Sequence, residues 1–283
     1  MKRMFAAILA LCICLAGFAM AEETIDAIEL VYGETAELDL NGDGAPESVM
    51  LEVEPGEGGW AETARLTVSG EVVWSAEWER VVGAYAADVD ADGAYEIFVS
   101  GDEASDDFTT YCVRCTADGY ATVPFADANR GENTGEYLDY GYGLVAGLTD
   151  GIVTLCGSQD VLGTYFGSRQ FMLEDGRFEF ADDGLWQFPR DFEDPELWDS
   201  YCVRTAATEI PVNFMTDSLD SAGVIAPGEK LVITASDKLT VAYFAMEDGR
   251  MGYFSIAPDA ESWGSLVNGV PEDEVFEFVP YAD

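Results

Sequence analysis

Histidine is absent from the 283-residue chain, and lysine and arginine together number 13 against 55 aspartates and glutamates. The first absence removes His-dependent triads and His-ligated zinc hydrolase centres. The second removes nucleic acid as a partner. A phosphate backbone is bound by a basic patch that displaces counterions, and a chain of formal charge −42 offers none. Anionic lipid surfaces are excluded on the same ground. Extended stretches of helical periodicity are also missing, which points away from helical bundles and towards an all-β chain. No apolar run reaches the ~20 residues that a membrane-spanning helix needs.

The longest apolar run, Met4 to Phe18, follows Lys2 and Arg3 and ends at Ala19-Met20-Ala21, with Glu22-Glu23 directly after. A charged start, a short apolar stretch and an Ala-x-Ala exit make a secretory signal peptide. Cleavage is expected after Ala21, giving a secreted or extracellular protein with no membrane insertion. Loss of Lys2 and Arg3 takes the formal charge from −42 to −44. A charge of that size repels itself, and it commonly accompanies bound cations or a role in solubility. Apolar residues still make up 48% of the chain and aromatics 12%, too much for a disordered acidic tail, so the chain folds.

Cys12 and Cys14 leave with the signal, and Cys112, Cys115, Cys156 and Cys202 remain. An oxidising exterior permits either disulfides or buried free thiols among these four. Cys112 and Cys115 have the spacing of a zinc pair, but they fall in a strand, where positions three apart face opposite sides.

From Ala27 onward, short alternating runs are punctuated by Gly, Asp and Asn. In Glu47 to Glu54, Val49, Leu51 and Val53 fall on one face, as in a half-buried strand. Similar runs occupy 64–68, 71–74, 95–100, 109–116, 151–155, 169–173 and 177–180. The stretch 188–200, with Pro189, Pro195 and many acids, has the composition of a connection between domains. Beyond it, strands are expected at 231–235, 241–246 and 251–256, the last two joined by a tight turn at Glu247-Asp248-Gly249-Arg250. Three meandering strands of this length suggest a small barrel. The expected organisation is a signal at 1–21, a β-repeat domain at 22–205 and a second domain at 206–283.

Two segments repeat each other: Asp39-Leu40-Asn41-Gly42-Asp43-Gly44-Ala45-Pro46-Glu47 and Asp88-Val89-Asp90-Ala91-Asp92-Gly93-Ala94-Tyr95-Glu96. A hard cation such as calcium takes six to eight oxygen ligands, and one tight loop supplies several if alternate residues point inward. The expected ligands are the side chains of Asp39, Asn41, Asp43 and Glu47 with the carbonyl of Ala45, and those of Asp88, Asp90, Asp92 and Glu96 with the carbonyl of Ala94. An EF-hand would place its closing glutamate at position twelve, where this chain has Met50 and Val99, so these are not EF-hands. The run Gly101 to Asp107 carries further carboxylates on an expected surface loop. Glu272 is taken as an exposed acid remote from the loops.

The pattern Asp-x-Asn/Asp-x-Asp-Gly-x-x-Glu between strands resembles the calcium loops of FG-GAP or VCBS repeats, over roughly residues 30 to 130. The resemblance implies a β-propeller-like or related repeat domain whose blade geometry is fixed by Ca2+ held at the loop residues above. The region after 206 is similar to bacterial SH3-like domains, through Pro227-Gly228-Glu229-Lys230 and the run Asp248 to Phe254. That similarity implies a small C-terminal barrel and a cell-wall peptide ligand, with Tyr243, Phe244, Tyr253 and Phe254 in its core.

No constellation in the chain has the form of an active site. The cysteines lack a base partner, and 55 acids guarantee carboxylate pairs at every spacing, so pairs alone carry no information. The expected function is therefore non-catalytic: an extracellular binding or interaction module for a cell-wall, glycan or protein ligand. The alternative is a carbohydrate-active or cell-wall-directed enzyme using an acidic pair. The six Trp and the run Tyr137 to Tyr142 are candidates for a sugar platform, although aromatics at strand spacing more often belong to the core.

Overall fold

The computed structural model describes residues 27–56, 59–104, 107–126, 137–149, 151–216, 220–262 and 264–281. The expected signal at 1–21 lies outside them. Almost every regular element is a strand, as the alternating pattern requires. The chain divides into two units, one made of residues 24–158 and 168–184, the other of 159–167 and 185–283.

In the first unit, three antiparallel meanders follow one another. The first comprises Thr35–Leu38, Glu47–Pro55, Glu62–Val68 and Glu71–Trp78. The second comprises Arg80–Ala87, Glu96–Asp102, Phe108–Thr116 and Gly119–Thr122. The third runs through Leu144–Thr149, Ile152–Asp160, Thr164–Glu174 and Arg177–Phe180, its middle strands reaching past the unit boundary.

The side-chain alternation explains how these sheets stack. Val49, Leu51, Leu66 and Val68 point to a core that also takes Ile97 and Val99 from the second meander. The intervening Phe98, with Cys112, turns to a second core containing Phe125, Val153, Leu155, Phe171 and Phe178. Glu96–Asp102 is accordingly buried along its whole length, because it is covered on both faces. Close approach is built in at Gly101, where a Cβ would lie 2.2 Å from Cδ2 of the buried Trp78.

In the second unit, Lys230–Ser236 pairs with Val241–Met246, which pairs with Met251–Pro258. Gly249 takes a φ of 85° in the turn between the last two, as the Asp-Gly signal requires. Met251–Pro258 changes partner along its length. Its first half pairs with Ile210–Phe214 and its second half with Ser265–Val267. Ser221–Ile225 pairs only with Ile210–Phe214, so among the described residues no sheet closes into a barrel, and the expected small barrel is an open, bent sheet. Phe244 and Phe254 stack at 5.6 Å in its core, each burial contributing about 1.5–3 kcal/mol. Tyr243 and Tyr253 lie on the other face and remain partly exposed.

The stretch 188–200, whose composition suggested a connection, is built into this second unit. Asp194 caps a 3₁₀ helix at Pro195–Asp199, and Leu197 and Trp198 are buried against Val232 and Ala245. Residues 185–205 thus belong with the C-terminal unit. Glu272, read as exposed, is 7% exposed, and accepts hydrogen bonds from the Ser265 amide at 2.9 Å and the Tyr281 hydroxyl at 2.7 Å.

Candidate metal centre

Both acidic segments join the first and second strands of a meander, 39–47 in the first sheet and 88–96 in the second. The corresponding strands of the third meander, Leu144–Thr149 and Ile152–Asp160, follow one another too closely in the chain for a third copy of the loop.

The two loops share one backbone design. Positions four and six are left-handed in both: Gly42 (φ 72°) and Gly44 (φ 83°) in the first, Ala91 (φ 57°) and Gly93 (φ 94°) in the second. Glycine takes this conformation freely, whereas Ala91 carries a cost of about 1–2 kcal/mol. The side chain at position one accepts from the amide at position six, as Gly44 to Asp39 at 2.7 Å and Gly93 to Asp88 at 3.0 Å. The side chain at position five accepts from position seven, as Ala45 to Asp43 and Ala94 to Asp92, both at 2.8 Å. The closing glutamate accepts from position two, as Leu40 to Glu47 at 2.8 Å and Val89 to Glu96 at 3.0 Å. Asp, Asn and Glu at these spacings thus fold the chain on themselves, with both carboxylate oxygens of Asp39 and of Asp88 accepting amides of their own loop.

The loops differ in what those oxygens meet. In the second, one carboxylate oxygen from each of Asp88, Asp90 and Glu96 lies within 4.8 Å of the other two, the one such grouping among the described residues. Glu96 is fully buried, and its Oε1 receives no hydrogen bond. Burial, with Asp90 and Asp92 adding repulsion, pushes its pKa up to about 7 against the opposing Val89 amide and Arg114 charge. Asp92 stands outside the grouping, held by Ala94 and Arg114. In the first loop, Asn41 donates from Nδ2 to Glu47 Oε1 at 2.7 Å and accepts from the Asp43 amide at 2.9 Å, and the carboxylates of Asp39, Asp43 and Glu47 do not gather in the same way. An all-oxygen donor set around a buried, unsatisfied carboxylate oxygen fits a hard divalent cation. A cleft lined by Asp88, Asp90, Leu148, Thr149 and Met172 opens beside the second loop.

Arg114 is the participant that spacing did not reveal. Its Nη1 lies 2.8 Å from Asp90 Oδ2, its Nη2 2.5 Å from Asp92 Oδ2, and its Nε 3.3 Å from Glu96 Oε1. The residue stands in the Cys112 to Cys115 segment, where the cysteines drew the attention. Those two cysteines pack into different cores on opposite faces of the strand, and no disulfide joins the described cysteines. The acids after the second loop's strand turn elsewhere: Asp102 pairs with Arg80 at 3.3 Å, and Glu103 accepts from Thr109 at 3.0 Å. The likeness to calcium-loop repeats and to SH3-like domains rests on the residues quoted for each. No family model, no curated protein and no solved structure matches the chain.

Proposed function

We propose that this is an exported, non-catalytic protein whose β-repeat unit is stabilised by calcium at the loops 39–47 and 88–96 and acts as a binding module outside the cell. The observation that carries the reading is the convergence of Asp88, Asp90 and the buried Glu96 within 4.8 Å on a loop whose backbone design is repeated at Asp39 to Glu47. A turn formed only for its turn propensity would have no need to bury Oε1 of Glu96 without a hydrogen bond. Bound calcium would supply positive charge at the first loop, add to that of Arg114 at the second, and tie the adjoining strand ends together.

The test is isothermal titration of EGTA-stripped protein with calcium chloride. Heat saturating at two ions per chain supports the reading, and absence of any binding heat removes it.

A glycan is the ligand class favoured by one further observation in the same unit. Trp74, Tyr111, Tyr140 and Tyr142 are all partly exposed and form a chain of rings with neighbouring centroids 5.4–5.7 Å apart, next to Asp139 and Glu103. Aromatic faces stack on sugar rings, and carboxylates accept from their hydroxyls. Pull-down on insoluble glycans and cell-wall fractions, with Trp74→Ala and Tyr140→Ala as controls, tests this assignment.

A further inference from the structure

We propose that Arg114 is a tethered cation lodged in the second loop, which lowers calcium affinity there and leaves the first loop as the tighter site. The inference rests on the calcium reading above and assigns it a residue that controls affinity.

The position of Arg114 follows from sheet register. Phe108–Thr116 pairs antiparallel with Glu96–Asp102, with Val113 opposite Ile97, so the next residue along, Arg114, comes beside Glu96. From there the guanidinium spreads its three nitrogens over three carboxylates, reaching Asp90 at 2.8 Å, Asp92 at 2.5 Å and Glu96 at 3.3 Å. Two of these, Asp90 and Glu96, belong to the three-carboxylate grouping. A guanidinium has donors on every nitrogen and cannot lose its charge at any ordinary pH. It therefore does at this loop part of what a metal would do, and it does so from within the chain. The pair with Glu96 is screened from water, the Arg114 side chain being only 20% exposed and that of Glu96 fully buried, whereas Asp92 is 44% exposed.

Glu96 shows that the substitution is incomplete. Its Oε1 is buried and lies near Arg114 Nε, yet it receives no hydrogen bond of acceptable geometry. A divalent ion entering the loop would satisfy that oxygen, but it would meet the guanidinium charge at short range and have to displace it. Binding at the second loop is thus an exchange of one cation for another. At the first loop, Asp39, Asp43 and Glu47 have no basic partner among the described residues, and calcium would have to displace only the neutral Asn41 amide, which donates to Glu47 Oε1 at 2.7 Å.

The experiment is calorimetric titration with calcium chloride of the full chain and three variants: Asp43→Ala, Asp43→Ala with Arg114→Gln, and Asp43→Ala with Arg114→Lys. The single variant should lose the tighter of two sites. Adding Arg114→Gln should tighten the surviving site by about tenfold or more, the size of one local charge removed from a partly buried site. Arg114→Lys keeps the charge and should leave that site weak. In the unmodified chain, the Arg114 Nε–H resonance should move during the second, weaker phase of the titration and stay still during the first, a readout that needs no variant to fold.

Calcium binding at both loops with an unmoved Arg114 resonance, or with no tightening in a folded Arg114→Gln variant, overturns this proposal and leaves the calcium reading standing. No calcium binding in any of the proteins overturns both.

Discussion

The backbone amide of Tyr95 donates to the carbonyl of Asp39 at 2.9 Å, which ties position eight of the second acidic loop to position one of the first. The loops also approach at Gly42, where a Cβ would stand 3.8 Å from that of Ala94. An ion ordering one loop thereby orders part of the other, and the two sites should be positively coupled. Asp43→Ala should weaken the remaining site by about fivefold, at the low end of usual coupling free energies. Two-site calorimetry on Asp43→Ala and Asp92→Ala measures this, and residual sites with unchanged affinity in both would show the loops to be independent.

The contact between Gly101 and Trp78 gives a packing prediction free of any metal. Trp78 is 2% exposed and donates from its indole nitrogen to Thr109 Oγ1 at 2.7 Å, so its ring cannot swing away without losing a buried hydrogen bond. Gly101→Ala would drive a methyl group to 2.2 Å from that ring. The expected cost is about 3 kcal/mol, at the upper end for overpacking. Urea denaturation of the variant checks it, and a midpoint equal to that of the parent would mean that the sheets shift apart readily.

Glu272 gives a pH prediction. Burial raises its pKa above the ordinary 4.5, against the lowering effects of the Tyr281 hydroxyl, the Ser265 amide and the Arg204 charge. The folded protein then holds this proton more tightly than the unfolded chain. Its contribution to stability is greatest below the ordinary value and is lost as pH rises from there through the raised, folded-state value. Melting temperature in EGTA should fall over that interval, and Glu272→Gln should flatten the fall. An unchanged pH profile in the variant would place the titration on other groups.

The four cysteines should behave as thiols of unequal access. Cys112 is fully buried, and burial pushes its thiol pKa well up, so it should resist alkylation until the protein unfolds. Cys115 and Cys156 are partly exposed and should react first. Peptide mapping after timed alkylation reads the order, and a disulfide-linked peptide from protein handled without reductant would contradict it.

Much of the first unit was legible because its signals are local. The alternation at Val49, Leu51 and Val53 names the buried face of a strand, and the matched Asp, Asn, Gly and Glu positions name two loops of one design. What escaped depends on contacts distant in the chain. Arg114 reaches the second loop only through the pairing of Val113 with Ile97, which no spacing within 88–96 announces. Glu272 is buried because Tyr281 and Ser265 close over it, and an acidic run such as Glu272-Asp273-Glu274 looks solvated in one dimension. The segment 188–200 resembled a linker by composition, yet two large apolar residues, Leu197 and Trp198, anchor it. The open sheet of the second unit depends on the change of partner along Met251–Pro258, and a run of strand formers gives no sign of where that change falls.

The calcium reading is tested most directly by thermal unfolding in millimolar calcium against EGTA at matched ionic strength. Extracellular calcium modules commonly have dissociation constants of ~10⁻⁴ to 10⁻³ M. At ten times that constant a single site adds about 1.4 kcal/mol, and two sites about twice as much. In a unit of this size that is a rise of several degrees in melting temperature. Asp43→Ala and Asp92→Ala should each remove part of the rise, and an equal concentration of magnesium should reproduce little of it. Superimposable melting curves in calcium and EGTA would contradict the account and leave two acidic turns held together by their own hydrogen bonds and by Arg114.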